Sequence, residues 1–159
     1  MDRLFAGLDI STQSAKLVLL NWARGDIVYE DSLNYDLDLP QYDTKNGIIF
    51  NEDSRVSESD PLMWIEAVDV LFKRLKNKSM PTDQIKSISV SGQQHGLVAL
   101  DKKGKLSRSS SKLWNDFSTQ KECDLLENSI GGRSKMIQEV GNSQRTGYTA
   151  SKIYNMFLN

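Results

Sequence analysis

The chain has 159 residues, 38% hydrophobic and 26% charged, with a net charge of −1. That balance suits one globular core and leaves no basic excess to attract nucleic acid or an anionic membrane surface. Its apolar runs are too short for a membrane span, and its single cysteine, Cys123, excludes an internal disulfide and a cysteine-based zinc site.

The N-terminus, Met1-Asp2-Arg3, leads straight into a short strand without a secretory cleavage pattern, so a reduced cytoplasmic setting is expected. Three strands come first: Leu4–Leu8, Lys16–Trp22 and Asp26–Asn34, with Ala23-Arg24-Gly25-Asp26 as a hairpin turn. Their short connections imply antiparallel pairing. Tyr35 to Asp60 is polar and turn-rich, with Gly47-Ile48-Ile49-Phe50 as a short edge strand. A helix follows, with Asp60 as its cap and Pro61 in its first position. Trp64, Val68, Leu71, Phe72 and Leu75 share one face at helical spacing. Lys73, Arg74, Lys76 and Lys78 suit the negative end of the helix dipole as a solvated helix end.

Ile85 to Val90 alternates apolar and polar residues and reads as a further strand, and Leu97–Leu100 as another, after the loop Gly92-Gln93-Gln94-His95-Gly96. A turn at Asp101–Lys105 and a serine-rich loop at Ser107–Ser111 come next. Helical spacing returns at Ser118–Asn128, where Cys123 reads as a packed thiol. Gly131-Gly132 breaks this pattern, and Arg133–Val140 forms a short helix. Thr149 to Leu158 closes the chain as a helix in which Ile153, Met156 and Phe157 share a face, and no clear stop signal follows it. Strands, then a helix, then another strand define an α/β layer on a mixed sheet.

Four segments can carry chemistry. Gly7-Leu8-Asp9-Ile10-Ser11-Thr12-Gln13-Ser14-Ala15 places a carboxylate at a strand end before a turn of hydroxyl and amide residues. Such a turn can hold phosphate oxygens while Asp9 addresses a metal or its water shell; the same residues are also ordinary turn formers. In Ser91–Gly96, Gln94 and the only histidine, His95, suit a hydroxyl-rich ligand, and the flanking glycines allow a sharp bend. A structural histidine is the competing reading. Trp114 can stack on a ligand or fill the core, and Asn115 and Asp116 can bond hydroxyls or cap the next helix. In Gly141–Thr149, Arg145 can reach a ligand oxygen or stay solvated, and Thr149 can cap the last helix.

The order and local sequence of Gly7–Lys16, Ser91–Leu100, Leu113–Asp116 and Gly147–Lys152 resemble the N-terminal part of the FGGY carbohydrate kinases, and within them the xylulokinase branch. Pro61-Leu62-Met63-Trp64 and the strand Ile85–Ser91 share the likeness. The resemblance implies a ribonuclease H-like domain of the actin and hexokinase type, here an incomplete N-terminal lobe. Residues 1–159 would be the N-terminal part of the first, sugar-binding kinase domain, with the rest of that domain and the nucleotide lobe absent. It implies transfer of the terminal phosphoryl of ATP to a ketopentose such as D-xylulose, with Mg2+. A kinase for ribulose, gluconate or glycerol, or a non-catalytic binding module of the same fold, are the alternatives.

By position, Asp9 matches the family's magnesium- and phosphate-facing aspartate, and Ser11, Thr12, Gln13, Ser14 and Lys16 match its first phosphate turn. Ser11 stands where many relatives have glycine. Gln94 and His95 match a sugar-contacting pair, Trp114 and Asp116 a motif lining the sugar cleft, and Arg145 lies close to a substrate arginine. The family's general base would fall beyond residue 159, so the chain alone is expected to be inactive. The partners implied are sugar and ATP, with no nucleic acid and no membrane, and a homodimer stays open.

Overall fold

Leu4, Ala6 and Leu8 of β1 (Leu4–Ile10) are buried, and this alternation sets the architecture of the first half. We describe residues 3–159 from a computed structural model. They fall into two units, residues 3–50 with Asp60–Gln93 and Asn51–Ser59 with Gln94–Asn159.

In the first unit, β1, β2 (Ser14–Asn21) and β3 (Asp26–Asn34) form the expected antiparallel meander. The segment after β3, which reads from sequence as irregular, holds one helical turn, α1 (Tyr35–Asp38). Asn34 caps it by accepting from the Leu37 amide. A 3-10 turn, Pro40–Tyr42, leads to a two-strand ribbon, β4 (Thr44–Lys45) and β5 (Ile48–Ile49). Its two connecting residues, Asn46 and Gly47, both have positive φ, the geometry of a tight hairpin turn.

The second unit contributes β6 (Glu58–Ser59) before the chain returns to the first unit as α2 (Pro61–Asn77). Asp60 caps α2 through the Leu62 amide and Pro61 opens it. The inward line of α2 is Pro61, Met63, Ala67, Leu71 and Leu75. Trp64, Val68 and Phe72, expected at its centre, flank it half-buried. Ala67, Leu71 and Leu75 share one buried cluster with Leu17 and Leu19 of β2, and the larger Trp64, Val68 and Phe72 pack against its margin. Arg74 is no free helix end: it bonds Asp38 at 2.6 Å and the Ser32 carbonyl at 3.2 Å.

After a 3-10 turn, Thr82–Gln84, the strand β7 (Ile85–Gly92) pairs parallel to β1, so the sheet is mixed in the order β3-β2-β1-β7. β7 is an edge strand, and Ile88 and Val90 are exposed although they stand beside Ala6 and Leu8.

The second unit pairs β6 with β8 (Ser111–Lys112) and adds α3 (Gln120–Ile130), α4 (Arg133–Val140) and α5 (Thr149–Leu158). No strand forms at Leu97–Leu100; a single bridge joins Leu100 to Leu106 across the Asp101–Lys105 turn. The Leu97 amide donates to the Lys112 carbonyl at 3.0 Å, and the Ala99 carbonyl accepts from the Ser107 amide at 2.9 Å. Cys123 is buried in α3, and burial raises its thiol pKa. α5 buries Ser151 and Lys152, while Ile153 and Phe157 stay exposed. Its inward face is polar because Thr119 and Ser151 share a 2.9 Å bond and Asn155 donates to Glu122 at 3.0 Å.

Two outcomes test the ribbon. A Cβ on Gly47 would stand 1.9 Å from the Thr12 carbonyl oxygen, at a φ of +73°. Gly47→Ala should therefore cost roughly 2–3 kcal/mol in urea denaturation; a loss within error would remove the close approach. The ribbon also has a pH dependence. Burial pushes the Asp36 carboxyl up, but the Gly47 amide, the Thr44 hydroxyl and the Asn46 amide outweigh it and hold it below its usual 3.8. A lowered folded pKa means this support is full above 3.8 and is lost as pH falls through the folded value. The Asn46 and Gly47 amide resonances should shift in that acid range, and those of Asp36→Asn should not.

Candidate functional site

Asp9 is the last but one residue of β1 and is exposed, because Leu4, Ala6 and Leu8 take the inward positions. Lys16 on β2 stands directly across from it and Ser91 on β7 flanks it on the other side. Lys16 is ion-paired with Glu30 at 2.5 Å, with both side chains about half exposed (47% and 51%). Such a pair contributes little, so Lys16 can leave it for an incoming anion at small cost.

The turn after Asp9 is braced internally. The Ser11 amide and hydroxyl both donate to the Ser14 carbonyl at 2.9 Å, and the two serine hydroxyls are 3.2 Å apart. The Thr12 hydroxyl donates to Gln93 Oε1 at 3.3 Å, and Gln93 Nε2 donates to the Ser11 carbonyl at 3.4 Å. From the core side the Tyr35 hydroxyl reaches the same carbonyl at 3.1 Å, and the Tyr35 amide bonds the Gln13 carbonyl. Burial first, and the Asp9 charge second, raise the Tyr35 pKa far above its usual value, so it remains a donor. Gln13 is exposed at the tip. Sequence reading missed Tyr35, Gln93 and Gly47 as supports. Gly47 alone carried a signal, in its Asn-Gly pair.

The remaining candidates belong to the second unit. Gln94 and His95 are exposed. The bend there is made by His95 itself, at a φ of 56°, and not by Gly92 or Gly96. His95 stacks on Tyr148 with ring centroids 4.9 Å apart, and the exposed Arg145 places its guanidinium carbon 5.9 Å from the same ring. Trp114 is half exposed, which sets aside a core role, and a Cβ on Gly147 would come 2.8 Å from the Trp114 carbonyl. His95, Trp114 and Arg145 are thus joined through the Gly147-Tyr148 segment. Asp9, Ser11, Thr12, Gln13, Ser14 and Lys16 form a separate cluster in the first unit.

Asp116 is fully buried and turned inward. One oxygen accepts from the Ser57 amide at 2.9 Å and Lys112 Nζ at 3.3 Å; the other accepts from the Ser118 hydroxyl at 2.7 Å and amide at 3.2 Å. Lys112 is also 3.3 Å from Glu58, which accepts from Arg108 and from the Ser110 hydroxyl. Neither Asn115 nor Asp116 caps α3: Thr119 occupies that position without a side-chain bond, and Tyr148, not Thr149, precedes α5. The buried Lys152 donates to the His95 carbonyl at 2.8 Å and to the Gly147 carbonyl at 2.7 Å. Burial pulls its pKa down to about 8, with Asp116 opposing the fall and Lys112 adding to it.

Set beside known proteins, residues 4–156 match the FGGY family of carbohydrate kinases, N-terminal domain. The chain belongs to that family. Among curated relatives it is 33% identical to xylulose kinase 2 of Arabidopsis thaliana over 99% of its length and 32% of the relative's. It is 30% identical to the xylulose kinase of Saccharomyces cerevisiae over 96% of its length and 29% of the relative's. A crystal structure described as a xyloylose kinase from Brucella ovis superposes with a TM-score of 0.78 at 25% identity, over 99% of this chain and 30% of that one. The fold is the actin and hexokinase type of these sugar kinases, with a mixed sheet. The chain spans about a third of the length of the curated relatives it matches.

Removing the Asp116 charge tests the inward cluster. Asp116→Asn should destabilise the chain by about 3–5 kcal/mol, since it presents an amide to donors and leaves buried Lys112 half paired. Chemical denaturation measures this, and an unchanged midpoint would refute the structural role.

Proposed function

We propose that this chain is the N-terminal part of an ATP-dependent ketopentose kinase that converts D-xylulose to D-xylulose 5-phosphate in the cytoplasm. The observation that carries this reading is the exposure of Gln94, His95, Trp114 and Arg145 around one buried scaffold, in a chain whose relatives named above are xylulose kinases. These side chains offer amide, imidazole, guanidinium and an aromatic face, a set suited to binding several hydroxyls and a sugar ring.

The Asp9 turn would receive the phosphate end of ATP. The fit to magnesium rests on its chemistry: Mg2+ is typically held by one or two carboxylates together with waters and phosphate oxygens. Asp9 supplies one exposed carboxylate, and the described residues contain no cluster of three or more acidic, histidine or cysteine groups that would form a closed cage. When bound, the ion would neutralise charge on the phosphates. Asp9 would orient its water shell, Ser11 to Ser14 would shape the anion pocket, and Lys16 would add a positive charge. A sugar hydroxyl oxygen attacks the terminal phosphorus, the bond to the ADP oxygen breaks, and the hydroxyl proton passes to a carboxylate. That base, and the adenine-binding lobe, would come from the two thirds of the family's length that this chain does not match.

A chimaera tests the reading. Residues 1–159 replace the matched segment of the Arabidopsis enzyme, and the product is assayed with ATP against D-xylulose, ribulose, gluconate and glycerol. D-xylulose should be preferred, and preference for another acceptor would reassign the substrate. Asp9→Asn in the chimaera should lower kcat by roughly 100-fold or more with little change in sugar KM. The 159-residue chain alone should give no turnover; detectable phosphorylation would overturn its reading as a part.

A further inference from the structure

We propose that Lys152 is a positioning residue for the sugar-facing loops: its ammonium clamps the His95 and Gly147 carbonyls and thereby fixes the His95 ring against Tyr148. This rests on reading His95 as a sugar contact. The observation itself is geometric. Two loops far apart in sequence end on one fully buried nitrogen, at 2.8 Å and 2.7 Å.

Packing alone does not explain a lysine here. Among the described residues its ammonium makes no ion pair, and an apolar side chain of similar volume would avoid the cost of burying a charge. What the ammonium adds is directional. It has three donors, and two are spent on backbone carbonyls that no side-chain methyl could hold.

Each carbonyl belongs to a residue in an unusual position. His95 adopts the left-handed region although glycines nearby could have taken it. A non-glycine residue there costs about 1 kcal/mol and persists only where its surroundings hold it. Its carbonyl is held by Lys152 on one side and its ring by Tyr148 on the other. Gly147 has no space for a Cβ beside the Trp114 carbonyl, so fixing Gly147 also sets where the Trp114 backbone lies. Tyr148 follows Gly147 directly and carries both the His95 ring and the Arg145 guanidinium. One nitrogen therefore ties three of the four exposed groups proposed for sugar binding, His95, Trp114 and Arg145, without itself reaching the surface.

Two measurements decide this. In nuclear magnetic resonance spectra of the 159-residue chain, Lys152→Met should move the His95 Cα shift out of the left-handed range and remove the mutual ring-current shifts of His95 and Tyr148. Resonances of β1 to β3 should stay in place, and Lys152→Arg should give an intermediate spectrum. If Lys152→Met does not fold, Lys152→Arg is judged by the same His95 signals, since its planar fork cannot reproduce both bonds. Unchanged His95 signals in the folded variant would overturn the clamp.

In the chimaera, Lys152→Met should raise the KM for D-xylulose roughly tenfold and leave kcat within about twofold, with partial recovery in Lys152→Arg. A variant with unchanged sugar KM, or with the loss in kcat alone, would overturn the positioning role. A chimaera inactive with every sugar would instead overturn the functional reading, and the spectra would still decide what holds His95.

Discussion

The first unit depends on β1 having both of its edges paired. Antiparallel β2 on one side and parallel β7 on the other fix its register, and a one-residue slip would turn every side chain over. Because Leu4, Ala6 and Leu8 must face α2, Asp9 must face out, beside Lys16. The chemistry of the strand end is thus set by the hydrophobic alternation behind it. The turn beyond inherits the same rigidity, since Tyr35 and Gln93 reach it from elements flanking the sheet.

The second unit is organised on a different principle. Its interior includes Lys112, Asp116, Glu122, Ser151 and Lys152, each buried and each bonded. Apolar cores tolerate small rearrangements, whereas bonds of this kind hold only in one geometry and leave costly orphans when broken. That suits a scaffold whose surface carries exposed polar groups such as Gln94, His95 and Arg145 at loop positions. It also explains why α5 turns its apolar Ile153 and Phe157 outward. The inward side is chosen by hydrogen bonds, which an apolar face cannot satisfy.

What was legible in the sequence follows the same division. The meander, α2 with its Asp60 cap, and β7 were readable because period-2 and period-3.6 hydrophobicity and capping chemistry are local signals. On α2, Leu71 and Leu75 face inward as expected, but Met63 and Ala67 take the places expected of Trp64 and Val68, because a small alanine carries little weight in a hydrophobic pattern. α1 was missed because four residues leave no periodicity, and Leu97–Leu100 was read as a strand from its apolar content although its backbone makes only isolated bonds and one bridge. In the site, exposed groups such as Asp9, His95 and Trp114 could be picked out by residue type and turn context. The residues that hold them could not: Lys152 reads as an ordinary surface lysine on α5, and only the folded chain shows that it is buried under two carbonyls.

Trp114 and Asp116 show how closely the two roles can lie together. They are two residues apart in one irregular segment, with opposite exposure. Asp116 anchors the segment to Ser57 and Lys112, and a Cβ on Gly147 would come 2.8 Å from the Trp114 carbonyl oxygen. A resemblance at the level of motif treats the tryptophan and the aspartate alike, as residues of a sugar cleft. Their burial separates them: Trp114 is half exposed, while the Asp116 carboxylate is buried and accepts from the chain's own donors. The segment sets an exposed ring two residues from a buried anchor, and an anchor more distant in sequence would leave the intervening backbone freer to move.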